Sequence, residues 1–104
     1  MLKVAGVSVI GSIGVVETVS LSASTASIQD AFYGNGTSVT PATVAADGMS
    51  LKFTVTAGLN VLTVNLIAPA PTTESVEFYQ GKTILRIVTM GGLTGTGLIP
   101  IMGQ

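Results

Sequence analysis

Few side chains in this chain could do chemistry. Its acids are Glu17, Asp30, Asp47, Glu74 and Glu77, its bases are Lys3, Lys52, Lys82 and Arg86, and it has no histidine and no cysteine. That removes the Ser–His and Cys–His nucleophile–base pairs, thiol chemistry, and every zinc site built on nitrogen or sulfur ligands. A glycosidase needs two carboxyls held a fixed distance apart across a cleft. Glu74 and Glu77 lie three residues apart, so on a strand they point to opposite faces. Asp47 belongs to a turn signal, which leaves only Asp30 with one of the others. The expectation is a protein that is not an enzyme and that uses no cofactor and no catalytic or metal-ligating residue.

The remaining motifs are weighed the same way. Asp30 and Asn35 flank Tyr33-Gly34-Asn35-Gly36 and could offer oxygens to calcium, but Gly and Asn are what a plain turn demands. Asn35-Gly36-Thr37 matches the glycosylation sequon. Gly91-Gly92-Leu93-Thr94-Gly95-Thr96-Gly97 lacks the lysine and the following helix of a phosphate-cradling loop, and reads as a mobile loop or a bend in a strand. The four basic residues are scattered and the net charge is −1, which argues against nucleic acid. Phe is followed directly by Tyr at Phe32-Tyr33 and Phe78-Tyr79. On a strand this sends Phe inward and Tyr outward, where Tyr33 and Tyr79, with Asn35, could contact a glycan or a protein partner.

The elements that position these residues are strands. Met49-Ser50-Leu51-Lys52-Phe53-Thr54-Val55-Thr56-Ala57 alternates apolar with polar at period two, the mark of a half-buried strand. Asp47-Gly48 before it predicts a two-residue hairpin turn that pairs Thr43–Ala46 with Met49 onward. Gly58-Leu59-Asn60 predicts a turn, and Val61–Ala68 a strand with Leu62, Val64 and Leu66 inward. Pro69-Ala70-Pro71 cannot donate ladder hydrogen bonds and predicts a connection between sheets. Glu74–Tyr79 and Thr83–Thr89 predict a hairpin about Gln80-Gly81, with Val76 and Phe78 inward. Leu2–Ile10, Ile13–Ser22, Ile28–Tyr33 and Thr37–Val39 complete a count of about eight strands with little or no helix. Met1-Leu2-Lys3 and the uncharged run after it have some features of a signal segment, but the glycines and the alternation favour strands. The uncharged stretches are broken by Gly, Pro and Asn and do not read as transmembrane helices.

Ala26–Gly58 (Ser27-Ile28-Gln29-Asp30-Ala31-Phe32-Tyr33-Gly34, then Val44 and Asp47-Gly48-Met49-Ser50-Leu51-Lys52-Phe53-Thr54-Val55) resembles the immunoglobulin-like TIG modules over a third of the chain. The Pro69–Pro71 segment and the glycine-rich end depart from that pattern. The expected architecture is a single antiparallel β-sandwich domain over residues 1–104, with immunoglobulin-like or jelly-roll connectivity left open.

Composition suggests what such a domain is for. Charged residues make up 9% of the chain and hydrophobic ones 47%, against about 25% charged in ordinary soluble domains. Leu2–Ile10 and Leu98–Met102 are apolar on both faces of a strand, and Leu98, Ile99 and Ile101 are expected to meet a covering surface: a neighbouring subunit, or the domain's own centre. The expected function is that of a non-catalytic structural subunit. A virion decoration or minor capsid component, or another self-associating surface protein, fits best, on a virion or extracellular surface. The expected partner is a second copy or a larger protein assembly, with no nucleic acid and no membrane. A carbohydrate-binding module or lectin is the alternative.

Overall fold

The structure, a computed structural model, describes residues 3–5, 8–22 and 25–104. These form eleven strands and no helix: β1 (Lys3–Ala5), β2 (Ser8–Gly11), β3 (Val16–Leu21), β4 (Ser27–Asn35), β5 (Ser38–Pro41), β6 (Thr43–Val44), β7 (Ser50–Thr54), β8 (Gly58–Thr72), β9 (Ser75–Gln80), β10 (Thr83–Thr89) and β11 (Gly92–Gly103). They build two sheets, in the orders β1-β2-β11-β8-β4-β5 and β10-β9-β3-β7-β6. Every pairing is antiparallel except β2 with β11.

The expected all-β sandwich is present, and the strand order decides its connectivity. β3, β7 and β6 follow the B-E-D order of an immunoglobulin-like sandwich, and β11, β8, β4 and β5 follow G-F-C-C′. The addition is the β9–β10 hairpin, inserted between the F- and G-equivalent strands and paired with β3. The count exceeds eight for local reasons. Within the expected strand Leu2–Ile10, β1 pairs antiparallel with β2; residues 1, 2, 6 and 7 lie outside the described set. The expected loop or bend at residues 91–97 falls in β11, which is irregular between Gly92 and Thr94.

Alternation fills the space between the sheets. Leu62, Val64, Leu66 and Ala68 of β8 and Ile99 and Ile101 of β11 face Val19 and Leu21, Leu51 and Phe53, and Val76 and Phe78 of the other sheet, all of them buried. Each of these Val, Leu, Ile and Phe side chains contributes about 1.5–3 kcal/mol on burial. β11 can approach the β9–β10 hairpin only because it carries glycine there. A Cβ at Gly97 would lie 2.5 Å from Phe78 Cε2, and one at Gly95 2.8 Å from Met90 Sδ. Glu17 and Asn60 are the buried polar side chains among the described residues. Asn60 Nδ2 donates to Thr56 Oγ1 and to the carbonyls of Ala57 and Gly58, tying down the β7–β8 corner.

Three turn expectations need correction. The β6–β7 hairpin forms, but its loop is longer than two residues. Ala45 N–H donates to Ser50 O, Gly48 N–H to Ala45 O, and only Gly48 takes a positive φ, while Asp47 Oδ1 accepts from Met49 N–H as an Asx turn. Gly58-Leu59-Asn60 opens β8 and is not a turn, because the corner closes earlier, at residues 55–57. Pro69-Ala70-Pro71 bulges from the end of β8, so that Thr94 pairs with Ile67 and Gly92 with Thr72. The chain crosses to the second sheet only after Thr72.

Candidate interaction surface

The six residues singled out in the sequence do not come together. Tyr33 is buried, against the expectation that it points outward. The cause is a bulge in β4 between Ile28 and Asp30, where the extra residue Gln29 shifts the alternation by one and turns Tyr33 into the core in place of Phe32. Its ring packs on Phe53 with centroids 4.7 Å apart, and its hydroxyl accepts from Thr56 N–H at 3.2 Å. Tyr79 follows Phe78 on an undisturbed strand and faces outward as expected. Its hydroxyl donates to Glu77 Oε1 at 2.9 Å, and that bond, with partial desolvation and the carboxylate's charge, holds the phenol above its ordinary pKa.

Asn35 is exposed at the end of β4, where its Nδ2 donates to Leu59 O. Asp30, five residues earlier on the same strand, accepts from Asn65 Nδ2 at 2.6 Å, so the two residues weighed for calcium serve different strand contacts. Among the described residues there is no cluster of three or more acidic side chains that could hold a metal. Ile99 and Ile101 are 1% and 0% exposed and belong to the domain's own core, whereas Leu98 is 49% exposed. The inner face of β11 is therefore covered by the domain itself, while on its outer face Leu98 is exposed and Pro100 and Met102 are half-buried. Its neighbours β2 and β8 cover its edges, and the opposite sheet covers its inner face.

A cleft of about 440 Å³ opens between β5 and the Phe53–Thr54 end of β7, where the two-residue β6 leaves one edge of β7 without a partner strand among the described residues. Tyr33, Phe53, Pro41 and Val16 give it apolar walls and Thr40, Thr43, Thr54 and Thr56 a hydroxyl rim; Lys52 is the charged residue lining it, and no carboxylate does.

The two outer faces of the sandwich differ in character. On the five-stranded sheet, Thr18, Ser20, Lys52, Thr54, Glu77 and Tyr79 point outward, with Val16, Ile84 and Ile87 exposed at the margins. On the six-stranded sheet the strand register builds apolar rows. Ile10, Met102 and Leu59 make the first, Pro100, Val61, Gly34 and Val39 the second, and Leu98, Thr63, Phe32 and Pro41 the third. Leu98, Leu59 and Val39 are about half exposed, at 49%, 50% and 48%. The next row is polar and internally satisfied: Thr96 Oγ1 donates to Asn65 Oδ1 at 3.1 Å, and Asn65 Nδ2 donates to Asp30. Of the sequence candidates this face contains only Leu98. The others escape single-strand reading because the rows exist only once β2, β11, β8 and β4 are in register.

No protein-family model, curated protein or solved structure matches the chain.

Proposed function

We propose that the protein is a non-catalytic assembly subunit whose working surface is the outer face of the six-stranded sheet. A component that decorates or completes a virion shell, or another self-associating surface, is the kind of protein meant. The observation that supports this is the contrast between the two outer faces. One is mainly polar with isolated exposed apolar residues, Val16, Ile84 and Ile87, while the other carries three adjoining apolar rows followed by a polar row whose groups already bond one another. With strands about 4.8 Å apart and rows about 6.7 Å apart, the apolar rows cover roughly 350 Å², the size of the largest patch on ordinary monomers, which is often functional. The carbohydrate reading loses support at Tyr33, whose ring is buried, while Tyr79 still faces outward with its hydroxyl bonded to Glu77.

Hydroxyl-radical footprinting in an unfractionated extract of the protein's source tests the proposal, with each rate divided by that of the urea-unfolded chain. Leu59 and Leu98, as exposed in the isolated fold as Ile84 and Ile87 of the other sheet, should be protected several-fold relative to them. Equal reactivity of the two sets would remove the face as a working surface.

A further inference from the structure

The cleft beside β5 exists because the chain changes sheets there. Thr43 pairs with Lys52 of β7, and the same register carried on would set Pro41 opposite Thr54. Instead Pro41 pairs with Phe32, and Ala42 N–H donates to Ala31 O, both in the other sheet. Alternation along β7 then fixes which groups are left over. Val55 exchanges its backbone bonds with Gly14 and Val15 on the β3 side, whereas Ser50 O accepts from Ala45 N–H on the β6 side. Thr54 N–H and C=O therefore point away from β3, beyond the end of β6, with no partner strand among the described residues. An edge left in this way is a template for another strand.

The groups around that edge narrow what it can accept. Tyr33 lines the cleft at 5% exposure; its hydroxyl accepts from Thr56 N–H, and its own proton has no acceptor among the described residues. Lys52 is the charged lining residue, and Asp30, Asp47, Glu74 and Glu77 are each bonded elsewhere. We propose that the cleft binds an extended peptide that continues the line of β6 along β7, with an acidic residue opposite Thr54 and an apolar residue on either side. The central residue exchanges both backbone bonds with Thr54, antiparallel as Thr43 does with Lys52. A small carboxylate could meet the donors but has nothing to give to Thr54 C=O. The central side chain shares the outer face with Lys52, diagonally across the strands and within reach of a glutamate. Its neighbours alternate inward, against Phe53 and Tyr33. Backbone pairing supplies the attachment and the alternating side chains the selectivity, as in other strand additions. This is a second site, beyond the contact face, and neither needs the other.

Amide NMR titration of the whole chain tests this with a short acetylated, amidated peptide that carries glutamate between two valines. Saturable shifts should appear at Thr54 and Thr56 and at Thr40 and Thr43, and not at Ile84 or Ile87 on the far strand β10. Methylating the backbone nitrogen of the central glutamate should weaken binding about tenfold, because it removes the donor to Thr54 C=O. Glutamine in place of the glutamate should weaken it about threefold, as for an exposed ion pair. The Lys52→Gln protein, its fold checked by the same spectra, should bind the two peptides equally. Absence of saturable shifts at millimolar peptide, or equal binding of the N-methylated peptide, overturns the proposal. If pentanoate binds the cleft as tightly as the peptide, the site takes a small carboxylate and the peptide reading falls. A preference for glutamate that survives Lys52→Gln overturns the acidic assignment.

Discussion

At the scale of single residues, Tyr33 shows how one hydroxyl can close a corner. Its ring lies against Phe53 inside the sandwich while its oxygen accepts the N–H of Thr56, just where the chain leaves β7 for β8. Tyr33→Phe keeps the ring contact and removes the acceptor, so it should lower stability by about 1 kcal/mol. Urea unfolding should show this as an earlier midpoint with an unchanged slope, and an unmoved midpoint would mean the bond contributes nothing. The same residue marks where sequence reading fails. Phe32-Tyr33 and Phe78-Tyr79 are identical pairs in the sequence, and strict alternation assigns them the same orientation. The second pair obeys. The first is inverted by the extra residue Gln29, and no residue type near Gln29 announces a bulge as glycine often does.

At the scale of elements, turn chemistry and alternation made most of the sandwich legible. The β6–β7 and β9–β10 hairpins, the inward row of β8 and the edge position of β5 all follow from local pattern. The glycine-rich run before Leu98 was less legible, because the need for glycine lies across the sandwich and not along the strand. Gly97 admits the Phe78 ring, whereas nothing lies within 4 Å of where a Cβ at Gly91 would be. Gly97→Ala should therefore destabilise the fold by about 1–3 kcal/mol through overpacking. Gly91→Ala should be neutral or slightly stabilising. Paired thermal melts decide it, and equal effects from the two substitutions would show that the close approach of β9 to β11 is not needed.

At the scale of the whole molecule, the class of fold was readable but the proposed contact face was not. Low charge announces a surface that tolerates contact; which face tolerates it depends on aligning Ile10, Leu59, Leu98 and Phe32 from four strands distant in sequence. If the native protein pairs with itself, only the folded state can dimerise. The melting temperature of the unmodified protein should then rise over a roughly hundredfold increase in concentration, and that of Leu98→Glu should not. A concentration-independent melt would count against self-association at this face. The central position of β11 also has a consequence in time. It lies between β2 and β8, strands made long before it. Until β11 is made, nothing pairs the β1–β2 strands to β8, and the core lacks Ile99 and Ile101. With contacts this non-local, folding is slow and comes late. The nascent chain is most exposed to misassociation in the interval before β11 emerges.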